Sequence, residues 1–481
     1  MAVVTLDQQR SQSGRAPVRL SNWSLGNWTT PQWIRALAAG SVLVAIVLGI
    51  VLGSALSGVR DGLAVIGGRA APQVSATTDL YFALGDMDAQ LANVLLVGDD
   101  PGLTANRKQA LALYDQRRTQ ADADLQQIAT DASTQRAVRS VLDQLGRYES
   151  LAAQVILLDQ GGQAGRPSAA VLDVHRQATG LMRDTLRSVQ GLTDANHDLL
   201  NSTYQSNLDG TVTARIWVVL IGIVLVVLLL ATQIHLRLRL RRRLNPALAL
   251  ATILAAGLTV AGTVVLADEA SRLVVAKSNA FDSIVALSQA RAVSYDANAD
   301  ESRYLVDPTL AGQYERSFLD KSQQLVGLPG ADIAHYDSAL ASAIKAYQAN
   351  NSDVRFTGFF GTELNNITFD AHRAAAEQTI AAYQAYQLDD RKIRALSTGG
   401  DLRAAITFDI GTGPGQSNYD FGRYDASLTV LIGVNQRAFD TAIKDGDSQL
   451  DGWTGLIPAV AVLVLAGLVF AGVRPRLSEY R

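Results

Sequence analysis

The residues able to do chemistry are few and scattered. Five histidines, His175, His197, His235, His335 and His372, stand far apart, with no pair at the spacing of metal ligands. The chain has no cysteine, which removes thiolate metal sites, cysteine nucleophiles and disulfides. Gly411-Thr-Gly-Pro-Gly lacks the lysine and the preceding strand of a phosphate loop, and its proline fits a turn. Neither a serine elbow nor a kinase motif set is present. The neighbouring carboxylates Asp389 and Asp390 read as part of a solvated helix face. The expectation is a protein that is not an enzyme and needs no cofactor and no metal.

What does line up is suited to recognition. Between Arg291 and Arg303, the side chains of Arg291, Ser294, Asn298 and Glu301 recur at helical spacing beside an apolar seam. Such a row, with Arg303 at its end, contacts a ligand or partner, or else forms local pairs on a solvated face. Asn435 falls on a seam, where an amide either meets a partner or fixes helix register through a core hydrogen bond. The stretch Phe359–Phe369 is rich in aromatics and amides and contains Asn365 and Asn366. Long irregular segments of this kind are often functional.

The elements that position these residues are helices, in and out of a membrane. Four apolar runs, 36–56, 216–234, 247–267 and 454–473, carry no charge and match the roughly 20 residues a helix needs to cross about 30 Å of hydrocarbon. The first run is longer than a signal-peptide core and reads as an uncleaved anchor. Spans of this plainness, without polar or broken segments at mid-depth, do not suit a transporter. The small-residue pairs Gly49/Gly53, Gly257/Ala261 and Gly467/Ala471 suggest close helix packing instead.

Charge sets the expected orientation. The 235–246 link has five arginines and no acid, including Arg241, Arg242 and Arg243, and the 1–35 and 474–481 segments are also basic. All three belong on the cytoplasmic side. The remaining segments, 57–215 and 268–453, carry 30 basic and 43 acidic residues, a surface unfit for nucleic acid. Cytoplasmic candidates for lipid or partner contact are Arg241, Arg242, Arg243, Arg474, Arg476 and Tyr480.

Both outer segments read as helical. Leu80, Leu84, Met87, Leu91 and Val94 step as a packed seam, broken at Asp100-Pro101-Gly102. Phe281, Val285, Ser288, Ala292, Tyr295, Ala299 and Val306 form a similar seam. The expected fold is an all-α membrane protein: four transmembrane helices and two extracytoplasmic four-helix-bundle domains, whose terminal helices run directly into the spans. The layout of span, segment, span occurs twice.

Three segments carry a family resemblance: Ser283–Pro308 with its Asp296-Ala-Asn-Ala-Asp-Glu-Ser-Arg-Tyr304, Glu363-Leu-Asn-Asn-Ile-Thr-Phe369, and the tail Arg474-Pro-Arg-Leu-Ser-Glu-Tyr-Arg481. With the four-span layout, they make the chain similar to the GlnX family of actinobacterial membrane proteins. The resemblance implies a multi-pass cell-membrane receptor. It would relay aspartate or glutamate availability from a GlnH-like solute-binding lipoprotein to a PknG-like cytoplasmic kinase. The bundle plan also looks like the outer domain of bacterial chemoreceptors, although no HAMP or coiled-coil output segment follows any span. The alternative is a structural scaffold of the envelope without a ligand. Homo-oligomer formation is open in either case.

Overall fold

The computed structural model describes residues 29–129, 134–240, 245–367 and 370–478. Among them all regular structure is helical, apart from two isolated bridges. The first half holds α1 (Thr30–Val65), α2 (Ala71–Val97), α3 (Thr104–Ile128), α4 (Gln135–Leu158) and α5 (Ala169–Leu240). The second holds α6 (Pro246–Val274), α7 (Asp282–Val306), α8 (Ala311–Leu325), α9 (Tyr336–Ala349), α10 (Gly358–Asn365), α11 (Asp370–Thr398), α12 (Leu402–Asp409), α13 (Ser417–Gln449) and α14 (Leu456–Ser478). The seam on α2 ends where expected: Gly98 takes φ 54°, and Asp100 caps the short 3-10 turn Pro101–Leu103 by accepting from the Gly102 N–H at 2.8 Å.

Four helices are long and apolar enough to cross a membrane: Pro31–Val97, Ala169–Leu238, Pro246–Val306 and Leu456–Pro475. The chain is a multi-pass membrane protein. The first and third continue past their apolar runs through single π-helical segments, Ile66–Ala70 and Val275–Phe281, into α2 and α7. The second, α5, is one helix of 72 residues.

Span four departs from the expected plan. The sequence reads α13 as running into the membrane, but α13 stops at Gln449, and a turn at 450–455 precedes α14. Gly452 at φ 82° accounts for the break, since this left-handed turn is readily adopted only without a Cβ.

The chain divides into two compact units. One comprises Met1–Gly49, Leu220–Thr259 and Ala459–Arg481. Its helices are tied by polar contacts: Asn245 Nδ2 donates to the Gly472 carbonyl at 2.7 Å, and Gln233 Nε2 to Thr252 Oγ1 at 2.8 Å. The close approaches fall at Gly222, where a Cβ would meet Thr259, and at Gly472, where it would meet Leu248. They do not fall at Gly257 or Gly467, whose Cβ positions are open. A small-residue spacing marks a helix face without saying whether that face is the one in contact.

The other unit comprises Ile50–Val219 and Val260–Pro458. At its centre α2 and α7 pack against each other, each being the first helix beyond an odd-numbered span. Both are buried on nearly every side. The first half shares its core with the second. An aromatic cluster of Phe318, Tyr347, Phe360, Tyr383, Tyr386 and Tyr424 belongs to the second half alone. The cluster around Leu84, Met87, Leu91, Tyr148 and Val189 is instead completed by Leu305, Val306, Ile393 and Ile406 from the second half. Burial of side chains this size contributes roughly 1.5–3 kcal/mol each, enough to make the shared core substantial.

The irregular stretch before α11 is held by backbone. Gly327 and Thr357 exchange N–H···O bonds of 3.0 and 2.9 Å. At Gly358, φ is 80°, and a Cβ would lie 2.5 Å from the Gln324 carbonyl oxygen. Thr368 and Phe369 lie outside the described residues.

Candidate functional site

The α2–α7 contact is polar at its middle. α2 carries three acids, Asp79, Asp86 and Asp88, and no basic residue, so any cation that balances them must come from elsewhere in the chain. Asp86 accepts from Arg117 Nε of α3 at 2.6 Å and from Gln90 Nε2 at 2.7 Å. Asp88 accepts from Arg303 Nη2 of α7 at 2.7 Å, and also from the Tyr148 and Thr179 hydroxyls at 3.2 and 3.3 Å.

Arg303 is the hub. Its side chain is 5% exposed, and Nη1 also donates to Asp296 at 3.0 Å and to Asp300 at 2.6 Å. Lys321 of α8 lies 2.6 Å from both of those aspartates. Burial pushes the Asp296 carboxyl upward, but Lys321 and Arg303 outweigh it and hold its pKa well below the usual carboxylate range. Nearby His175 is buried, with neither ring nitrogen hydrogen-bonded among the described residues. Burial lowers its pKa to about 4, so the ring is neutral.

A cavity of about 350 Å³ opens onto this hub, lined by Asp88, Asp296, Asp300, Arg303, Lys321 and Tyr314, with Arg183 of α5 also in the lining. Arg183 is exposed and has no ion-pair partner among the described residues. The site thus offers both signs of charge within one enclosure of small-metabolite size.

Behind it lies a second network. Glu301 Oε2 accepts from Asn298 Nδ2 and from the Tyr386 hydroxyl, both at 3.0 Å, while Oε1 has no partner among the described residues. Burial, then the charges of Asp390 and Asp409, push the Glu301 pKa well up. Asp409, which accepts from Ser302 at 3.0 Å, is raised by burial to about 7. Asn298 also faces a neutral cavity of about 180 Å³, walled by Gln90, Asn93, Asn106, Gln109 and Asn418.

The residues singled out from the sequence fall at several places. Arg303 and Asn298 line cavities. Arg291 is engaged by Asp425, with Nε at 2.6 Å and Nη2 at 2.9 Å, and lies over the Phe82 ring at 4.2 Å. Ser294 shares a 2.8 Å bond with the Tyr424 hydroxyl. Asn365 donates to the Gly361 carbonyl at 2.8 Å within its own helix, and Asn366 to Ser283 Oγ at 3.2 Å. Asn435 is fully buried, donating to Glu363 Oε1 at 3.2 Å, and that same oxygen lies 2.5 Å from His372 Nε2. Arg241, Arg242, Arg243 and Tyr480 lie outside the described residues, as does the Arg476 side chain.

One reading is corrected. Asp389 and Asp390 are buried rather than solvated, because α11 is covered by α9, α12 and α13. Asp390 is paired with Arg394 at 2.8 Å, and burial followed by the Asp420 charge raises Asp389 to about 7. The helical row of Arg291, Ser294, Asn298 and Glu301 does not contain Asp88, Asp296, Asp300 or Lys321, which complete the cavity. The signal for the first was available: an apolar helix whose only charges are three acids.

Residues 62–205 match the actinobacterial sensor domain family. No curated protein and no solved structure matches the chain. The matched segment contains α2 to α4 and the first part of α5, and so includes Asp88, Thr179 and Arg183 of the cavity. It speaks for a sensing role. The motifs that resemble the GlnX family all lie outside it.

Proposed function

We propose that the protein is a transmembrane signalling receptor that reports extracytoplasmic amino-acid availability to a cytoplasmic kinase. The observation that carries this reading is the cavity at Arg303. An α-amino acid has a carboxylate and an ammonium a few ångströms apart. The cavity sets Arg183 and Lys321 against Asp88, Asp296 and Asp300, a lining of matching polarity. A second carboxylate, as in aspartate or glutamate, would be met by the free guanidinium of Arg183. Delivery by a GlnH-like lipoprotein is compatible with this chemistry.

The cavity is lined by helices of both halves, so a ligand there bears on α2, α5 and α7 together. These three helices continue into spans one, two and three, whereas span four follows a turn. Differential binding worth about 1–3 kcal/mol suffices to bias two helix packings. The output would be a PknG-like kinase recruited at Arg241–Arg243, Arg474, Arg476 and Tyr480, with both chain ends cytoplasmic.

The competing reading is a ligand-free envelope scaffold. It is favoured by the fact that Asp88, Asp296 and Asp300 already have cations. Thermal melting of the full chain in nanodiscs, with and without millimolar aspartate or glutamate, separates the two. A receptor is stabilised by one of them, and Arg183→Ala removes the effect. No shift with either amino acid, alone or with the lipoprotein present, refutes direct and relayed sensing alike.

A further inference from the structure

The membrane unit contains a groove that its described residues do not fill. It lies between α1 and α14 and has a volume of about 1110 Å³. That exceeds the roughly 300–1,000 Å³ of small-molecule sites. Ala39, Val42 and Ile46 line one side, and Gly467 and Phe470 the other. A Cβ at Gly467 would meet nothing within 4 Å, so the floor of the groove is open there.

One end of the groove is different. Arg35, at the entry to span one, and Arg474, at the exit of span four, both line it. Both are exposed, and neither has an acidic partner among the described residues. Arg474 lies 5.8 Å from the centroid of the Phe470 ring, which places its guanidinium beside the groove wall. An apolar trough ending in two unneutralised guanidiniums is complementary to one class of molecule: an acyl chain bearing an anionic headgroup.

We propose that this groove is a binding site for an anionic phospholipid, with an acyl chain along Val42 and Gly467 and the phosphate at Arg35 and Arg474. Charge argues against the helix of a second copy as the occupant. A two-fold contact through this face would set Arg35 and Arg474 of one chain against their equivalents, with no acid between them among the described residues. Neutral lipid fills the trough but leaves both guanidiniums without a counter-charge.

The test uses the full chain in phosphatidylcholine bilayers with a trace of spin-labelled phosphatidylglycerol or spin-labelled phosphatidylcholine. The motionally restricted fraction gives their relative association. The wild type prefers the anionic lipid about fivefold or more, the scale expected of an arginine at a membrane surface. The preference shrinks at high salt. R35Q/R474Q removes most of it, whereas R35K/R474K keeps most of it. Gly467→Leu, which retains both charges but fills the trough, lowers the restricted anionic fraction. Equal association of the two lipids with the wild type overturns the proposal, as does an unchanged preference in R35Q/R474Q. Because the chain has no cysteine, V42C reports the rival directly. High-yield disulfide dimers of V42C in these bilayers would put a second copy in the groove and overturn the lipid assignment.

Discussion

Arg303→Met is the sharpest test of the α2–α7 contact. Three ion pairs meet at this guanidinium, and adding three pair energies would predict collapse. The geometry gives a smaller figure. Asp296 and Asp300 retain Lys321 at 2.6 Å each, so the carboxylate left without a cation is Asp88. It keeps only the Tyr148 and Thr179 hydroxyls, at 3.2 and 3.3 Å, and its side chain is 2% exposed. The cost is therefore that of one broken buried pair, about 3–5 kcal/mol. Asp88→Asn removes the stranded charge while keeping a hydrogen-bonding amide. Asp88→Asn/Arg303→Met should then be more stable than Arg303→Met alone by about 2 kcal/mol. Urea unfolding of the full chain in detergent, followed by far-ultraviolet circular dichroism, measures all corners of the cycle. A cost below about 1 kcal/mol for Arg303→Met refutes the reasoning. So does additivity of the two substitutions within about 0.5 kcal/mol, because residues in direct contact must couple.

Other substitutions probe separate features. Asp409 binds its proton more tightly in the folded state, with a pKa of about 7 against an ordinary 3.8, so its contribution to stability falls as pH rises between those values. Asp409→Asn should flatten the stability profile from pH 4 to 7 by up to about 1.4 kcal/mol per pH unit, and an identical slope in melts of the two proteins would contradict the assignment. Gly358→Ala forces a Cβ against the Gln324 carbonyl at positive φ and should cost about 1–3 kcal/mol; a neutral effect on the unfolding midpoint would show that the loop is not held as described. Asn435→Leu deletes the amide that donates to buried Glu363 and should cost about 1–3 kcal/mol, whereas a rise in melting temperature would show that the Glu363–His372 contact satisfies that carboxylate without it.

Much of this protein is legible in its sequence, for local reasons. Span lengths, the seam from Leu80 to Val94 and the stop at Asp100-Pro101-Gly102 all follow from rules that act within a few residues. The centre of the candidate site is not local. Arg303 and Asp88 are 215 residues apart, and nothing near either names the other. Arg291, Ser294, Asn298 and Glu301 share a helical row, but spacing alone does not distinguish a row facing water from one facing another helix. The same ambiguity hid the burial of Asp389 and Asp390, whose face is covered only after α9, α12 and α13 fold over it. At Gly452, the sequence offers a glycine near a tryptophan; that it halts α13 depends on the backbone turning left-handed there.

The π-helical segments at Ile66–Ala70 and Val275–Phe281 occupy matching places in the two halves, each a short way beyond an apolar run. A π turn stores one residue more than the α-helical ladder requires. If that residue is released into regular α-helix, everything on one side of the segment turns by about 100° and advances about 1.5 Å relative to the other side. Neither segment is idle packing: a Cβ on Gly67 would lie 3.0 Å from Ile443 of α13, and Lys277 is held by Asp282 at 2.9 Å. Each half thus interrupts its α-helical ladder once between the helix that carries the apolar run and the helix that follows, α1 to α2 and α6 to α7.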